Sequence, residues 1–282
     1  MAAAQAALRA AGLTDPRAAR LLLEHALGMQ GAALLAALDA PLSPAAQAAF
    51  EGAVARAAAS EPLQYVLGSW DFYGRPFRCD RRALIPRADT ETLAQAALEA
   101  MKPPGNAQAH CLDVGCGTGC VGITLKLECP AAEVTLCDIS AEALALAAEN
   151  AALLGADVAL VQADLRASLP GGPYDVIVSN PPYINAADMA ALPAQVAAHE
   201  PHLALYGGPD GLDLVRALAA HAPNALRPGG AIFIEIGYDQ SAAAQTILRA
   251  ALGNARAIRD LCGVERVVTA RKEDNHAGTK AQ

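Results

Sequence analysis

The stretch VIVSNPPYINAAD, residues 176 to 188, ends an apolar run on Asn180, Pro181, Pro182 and Tyr183. Neither proline carries a backbone N–H, so a strand as apolar as Val176, Ile177 and Val178 must stop there. The prolines also stiffen the turn and leave carbonyls without local donors. The side-chain oxygen of Asn180 and the carbonyl of Pro181 can then both accept from one planar NH2 group, while Pro182 shapes the turn and Tyr183 packs on the face of that group. Such a set suits chemistry at an amide or exocyclic amine nitrogen, which is a poor nucleophile because its lone pair is delocalised. Accepting hydrogen bonds from its protons returns electron density, and in-line positioning supplies most of the rest without a strong base or a metal. Asn-Pro is also a common turn and Pro-Pro a common linker, so the reading depends on the motif's company.

That company is CLDVGCGTGCVGITL, residues 111 to 125, where Gly115, Gly117 and Gly119 follow a strand and open a helix. Alternate glycines permit a tight turn and a close approach of ligand to backbone, including that of Cys116 and Thr118. Counted from Gly115, the spacing is not that of a dinucleotide fingerprint, and no Gly-Lys-Ser/Thr follows to make a P-loop. The form D-x-G-x-G-x-G instead resembles the first motif of S-adenosylmethionine-dependent methyltransferases. In that resemblance the helix start faces the methionine carboxylate and Asp113 accepts from the methionine ammonium. Asp138, ending the next strand in LCDIS, is placed to accept from both ribose hydroxyls. Asp164 and Leu165 in QADLRAS occupy the adenine-edge position, and Asn180 borders the cofactor as well as the substrate.

The elements that must hold these residues are legible in the periodicity. HCLDV, EVTLCD, DVALVQ, YDVIVS, AIFIEI and ERVVTA are short and rich in β-formers, and between several lie helical stretches such as SAEALALAAENAALLG. Apolar strands alternating with helices indicate a parallel sheet covered on both faces, an α/β doubly wound domain. Asn180 then arrives at the carboxyl edge of the sheet, where ligands of such folds bind. Residues 1 to about 60 show helical spacing only, with starts at Asp15-Pro16 and Ser43-Pro44 and a stop at Gly28. His25 on that pattern reads as a packing residue. Between these parts, QYVLGSWDFYGRPFRCDRRALIPR gathers Tyr65, Trp70, Phe72, Tyr73 and Phe77 and reads as a connecting hairpin. The expected organisation is a helical docking domain over 1–72, a hairpin linker over 73–92, the catalytic domain over 93–272 and a flexible tail over 273–282.

Composition narrows the partners. A net charge of -8 over 282 residues argues against stable nucleic-acid binding. Arg75, Arg78, Arg81, Arg82 and Arg87 nevertheless cluster around the hairpin, as a solvated face or a docking surface. No uncharged apolar run approaches membrane-spanning length, and the N-terminus lacks a basic region followed by a strongly apolar one, so a soluble, cytoplasmic protein is expected. Seven cysteines, an odd number, suit reduced thiols. Cys111, Cys116 and Cys120 lack paired C-x-x-C spacing and are not expected to hold a metal.

Longer segments carry a closer likeness. EPLQYVLG, F-x-G-x-x-F from Phe72 to Phe77, LIPRADTETL, EPHLALYGGPDGL, GGAIFIEIGYDQ and DLCGVERVV resemble the protein-glutamine N5-methyltransferases of class 1 peptide-chain release factors, the HemK or PrmC family. The likeness extends to the N-terminal DPRAARLLLEHALG. It implies a seven-stranded Rossmann-like class I methyltransferase domain with a small all-helical N-terminal domain joined by a β-hairpin, S-adenosylmethionine as cofactor, and the glutamine of a release-factor Gly-Gly-Gln loop as substrate. In that reading Asn180 and Pro181 hold the amide, Tyr183 packs on it, and the helical domain and hairpin dock the release factor. Ala88 departs from the family, which usually has proline there. Asn-Pro-Pro-Tyr is shared with enzymes acting on adenine or RNA, and a glutamine of a large-subunit ribosomal protein needs the same site. An assembly protein would show a damaged site, whereas the glycines, Asp138 and Asn180 are all in place.

Overall fold

The computed structural model describes residues 1–29, 31–37, 41–101 and 108–273. The N-terminal part is helical: α1 (Ala2–Ala10), α2 (Ala18–Leu27), α3 (Gly31–Ala37), α4 (Pro44–Ala58) and α5 (Leu63–Leu67). Asp15 turns the chain into α2 by accepting from the Arg17 N–H at 2.8 Å, and Gly28 ends it in the left-handed region at φ 61°. Ser43 caps α4 by accepting from the Ala46 N–H at 3.2 Å, with Pro44 at the first helical position. Leu8, Ala18, Ala19, Leu22, Ala53, Ala57, Leu63 and Val66 close a core of their own.

A hairpin follows, β1 (Ser69–Phe72) against β2 (Arg75–Arg78). Its first strand starts at Ser69, so the expected boundary at residue 72 falls at the hairpin's turn. Gly68, left-handed at φ 72°, stops α5 and releases the chain into the strand. Phe72 and Phe77 are buried edge-on to each other, 6.1 Å between ring centroids, within the core of the following domain. Tyr65 is buried too and donates its hydroxyl to the Ala83 carbonyl at 3.0 Å. These aromatics pack rather than present a face.

The remaining elements are α6 (Glu91–Ala100), β3 (His110–Val114), α7 (Cys120–Glu128), β4 (Glu133–Asp138), α8 (Ala141–Leu154), β5 (Ala159–Gln162), β6 (Tyr174–Ser179), α9 (Ala186–Met189), α10 (Ala194–His199), α11 (Asp213–Ala225), β7 (Leu226–Glu235), α12 (Ser241–Leu252), β8 (Arg256–Arg259) and β9 (Glu265–Arg271). Their sheet has seven strands in the order β5-β4-β3-β6-β7-β9-β8, with β9 antiparallel to both its neighbours. Two apolar clusters lie on the two faces of β3, one holding Cys111 and the other Leu112 and Val114, as side-chain alternation requires. The order of strands reverses between β3 and β6, and the carboxyl ends there open a crevice. Strand β8 has no counterpart among the six runs recognised by periodicity, because RAIR is a four-residue edge with two half-buried apolar positions. Of the tail, residues 274–282 lie outside the described residues. No helix among the described residues is long and apolar enough to cross a membrane.

Candidate active site

At the switch point the chain leaves β3 through Gly115, Gly117 and Gly119, at φ 70°, 55° and 77°, and enters α7. Strand β6 ends alongside, its Ser179 hydroxyl donating to the Val114 carbonyl at 2.7 Å, which places Asn180 beside the glycine turn. One cleft is lined by Asp113, Gly115, Cys116, Gly117, Thr118, Asp138, Asp164, Leu165, Asn180 and Pro182. Gly119 lies outside those walls, where an added Cβ would come 2.8 Å from Ile123 and 3.2 Å from Ala147. Pro181 and Tyr183 also lie outside them.

Asp113 is buried and accepts from the Gly122 N–H at 2.8 Å; burial pushes its carboxyl up to about 7 against that bond. Asp138 holds the turn by accepting from the Gly117 N–H at 3.0 Å and the Ser140 N–H at 2.9 Å, and burial raises it as well. Asp164 turns its own loop by accepting from the Arg166 N–H at 2.9 Å. Arg82 and Arg87 border the same cleft, but ion pairs with Asp80, Glu149 and Glu200 engage them. Three carboxylates around a helix start suit a ligand that carries an ammonium, a carboxylate and vicinal hydroxyls.

The Asn180 amide has one defined orientation: its Nδ2 donates to the Thr90 hydroxyl at 3.1 Å. Its oxygen is thereby left on the other side. Behind it, the Tyr183–Ile184 backbone is clamped by Gln240, which donates to the Tyr183 carbonyl at 2.9 Å, and by Ile184, which bonds Leu205 and Gly207 through its N–H and carbonyl. Gly207 and Gly211 must be glycine here. A Cβ on Gly207 would sit 2.5 Å from the Pro182 carbonyl, and one on Gly211 would sit 2.2 Å from that of Tyr183. The segment YGGPDG thus moulds the turn of Asn-Pro-Pro-Tyr. Burial raises the Tyr183 phenol.

Residues 1–68 match the PrmC N-terminal domain model and residues 89–262 the Methyltransferase small domain model. The release factor glutamine methyltransferase of Deinococcus radiodurans is 44% identical over 270 residues, 95% of this chain and 96% of that protein. Its counterpart from Cereibacter sphaeroides is 46% identical, covering 94% of both chains. This chain belongs to the release factor glutamine methyltransferase family. Among solved structures, the T. thermophilus 16S rRNA methyltransferase RsmC, in complex with AdoMet and guanosine, has a TM-score of 0.52 at 20% identity, covering 73% of this chain and 50% of that one. A methyltransferase from Pyrococcus furiosus matches with a TM-score of 0.52 at 17% identity, over 72% of this chain and 91% of that one. These two likenesses concern the methyltransferase fold.

Family segments outside the glycine loop prove to be structural ties around the cleft. Of LIPRADTETL, Arg87 pairs with Glu200, Asp89 with Arg266 at 3.1 Å, and Glu91 accepts from the Tyr73 N–H at 2.8 Å, holding the hairpin turn in which Tyr73 takes φ 51°. Four of the five hairpin arginines engage carboxylates of this chain, Arg75 with Glu128 and both Arg78 and Arg82 with Glu149. Sequence reasoning passed over Thr90, Asn150 and Gly122. Asn150, fully buried in α8, accepts from the Arg78 N–H at 2.7 Å and donates to the Thr118 carbonyl at 2.9 Å, joining hairpin to glycine turn. Gly122 brings α7 onto the sheet, since a Cβ there would lie 2.2 Å from Leu136. Its signal was present: Gly117-x-Gly119-x-x-Gly122 has the fingerprint spacing, one frame on from Gly115, and its third glycine serves helix–strand packing. The thiols of Cys111, Cys116 and Cys120 are buried and raised by burial, and no cluster suited to a metal occurs among the described residues.

Proposed function

We propose that this chain methylates the side-chain nitrogen, N5, of the glutamine in the Gly-Gly-Gln motif of class 1 peptide-chain release factors, using S-adenosylmethionine. The observation that carries the reading is the orientation of Asn180: with Nδ2 engaged by Thr90, its Oδ1 is the atom left to accept from an incoming NH2 group. The Pro181 carbonyl supplies a second acceptor and Tyr183 a wall, both on a backbone fixed by Gln240 and Gly207. The bound cofactor supplies an electrophilic sulfonium methyl. Asp113 would hold its ammonium, Asp138 its ribose hydroxyls, Asp164 and Leu165 its adenine edge, and Gly115 through Gly119 with Cys116 and Thr118 its methionine end. Asn180 and Pro181 draw on the two amide protons, raise electron density at nitrogen and hold it in line for transfer. The amide proton then departs to solvent once the methylated nitrogen has become acidic.

Residues 1–72 serve as the docking domain for the release-factor body, 73–92 as the linker and 93–272 as the catalytic domain, acting on soluble translation factors in the cytoplasm. The test is mass spectrometry of a release factor incubated with the enzyme and labelled cofactor. The expected result is one methyl on the Gly-Gly-Gln peptide, abolished in Asn180→Ala with cofactor affinity kept within about tenfold. An unmodified peptide, or methyl found instead in a ribosomal protein or naked RNA, would overturn the proposal.

A further inference from the structure

Glu235, the last residue of β7, takes no part in the chemistry above. In the register of β6 against β7, Ser179 lies opposite Ile234, so Asn180 and Glu235 are the next residues of the two strands at the carboxyl edge. Glu235 is only 2% exposed. Burial pushes its carboxyl up to about 7, against the Thr90 hydroxyl and the Asn180 amide, which both favour its charged form, while its Oε2 has no hydrogen-bond partner among the described residues. Arg266 acts on it from β9 but is already paired to Asp89 at 3.1 Å and Asp260 at 3.4 Å. A carboxyl so enclosed is expensive to keep unless it performs a task.

We propose that Glu235 is a positioning residue that fixes which way the Asn180 amide faces. The inference rests on the functional reading above. An asparagine amide can turn over with little change of shape, exchanging an acceptor for two donors. Thr90 alone cannot prevent this, because a hydroxyl both donates and accepts. Glu235 removes the ambiguity. In its ionised form the carboxyl draws the Thr90 hydrogen, so that Thr90 Oγ1 can only accept, and it accepts from Asn180 Nδ2. Turned over beside the ionised carboxyl, Asn180 Oδ1 would face oxygens that offer it no hydrogen. Its NH2 would then meet the NH2 of the substrate, donor against donor, and no electron density would be returned to the reacting nitrogen.

The experiment compares Glu235→Met, which keeps the volume and removes the acceptor, with Glu235→Gln, whose side-chain oxygen can still accept from Thr90. For Glu235→Met we expect a Tm equal to or above that of the parent, cofactor Kd within about twofold and kcat on whole release factor lowered by about tenfold or more. Glu235→Gln should fall between the two. A kcat within twofold of the parent in Glu235→Met, an equal loss of cofactor affinity, or Glu235→Gln no better than Glu235→Met would overturn the proposal. The side-chain NH2 resonances of Asn180 in 15N-asparagine-labelled protein give a readout independent of substrate. They should move downfield and exchange slowly in the parent and lose that protection in Glu235→Met; unchanged resonances would also overturn it. A parent enzyme that leaves Gly-Gly-Gln unmodified defeats the functional reading, while the resonances still decide the role of Glu235.

Discussion

Asp113 holds the first turn of α7 and, in the proposed reading, also binds the cofactor. Buried beneath the first turn of α7, its carboxyl is raised from an ordinary 3.8 to about 7, so the folded protein without ligand holds this proton more tightly than the unfolded chain does. The sign follows: this group favours folding most at low pH, and that contribution falls as pH rises from about 4 towards 7. In the proposed reading cofactor binding has the opposite dependence, because an ammonium seated beside Asp113 would favour the ionised carboxylate and binding would release the proton. Calorimetry of S-adenosylmethionine should show affinity weakening by up to about tenfold per unit as pH falls below 7. Asp113→Asn should bind more weakly and lose most of this dependence. Parent affinity unchanged from pH 5.5 to 8 would remove the role. Asp138, also raised, acts in the same direction.

At the scale of elements, α8 joins the hairpin to the glycine turn. Ser140 caps it, accepting from the Ala143 N–H at 3.1 Å, and Ala143, Leu146 and Ala147 form its buried stripe, with Asn150 completing that stripe. The sequence announces the helix through its cap and its apolar spacing. Asn150 appears only as a polar residue on a core-facing position, and what it bonds is invisible because Arg78 is 72 residues away. Asn150→Ala leaves the Arg78 N–H, the Arg78 carbonyl and the Thr118 carbonyl each short of a partner. Unfolding in urea should show a loss of about 2–4 kcal/mol. Cofactor affinity should drop with it, because Thr118 belongs to the glycine turn. A variant as stable as its parent would show that the three groups find other partners.

Across the whole molecule, the hairpin works as a strut between two separately cored parts. Its arginines bind Glu128 on α7 and Glu149 on α8, and the loop that follows is tied by Arg87 to Glu200, across the cleft border formed by Leu84–Arg87 and by Pro201, Leu203 and Ala204. The Glu200 side chain is 2% exposed and that of Arg87 39%, so removing the arginine strands a buried carboxylate. Arg87→Met should lower stability by about 2–4 kcal/mol, less than for a fully buried pair because solvent reaches the guanidinium. Differential scanning calorimetry would measure it, and an unchanged Tm would show that the tie holds nothing. Read from the chain alone, the same arginines are a solvated face or a docking surface. Charge runs carry no record of their partners, and here the partners lie on helices 53 and 67 residues further on.

The sequence by itself determined the class of fold, the glycine turn after β3, the acid ending β4 and the Asn-Pro-Pro-Tyr stop after β6. Each of these is a local consequence of residue type: strand periodicity, glycine at positive φ, proline without an N–H. The tertiary structure alone decided how the motif is aimed. The orientation of Asn180 depends on Thr90, 90 residues earlier, and on Glu235, on the neighbouring strand, while its backbone is moulded by Gly207 and Gly211. Hydrogen-bond direction and steric clearance belong to atoms brought together by the fold, and no spacing along the chain encodes them.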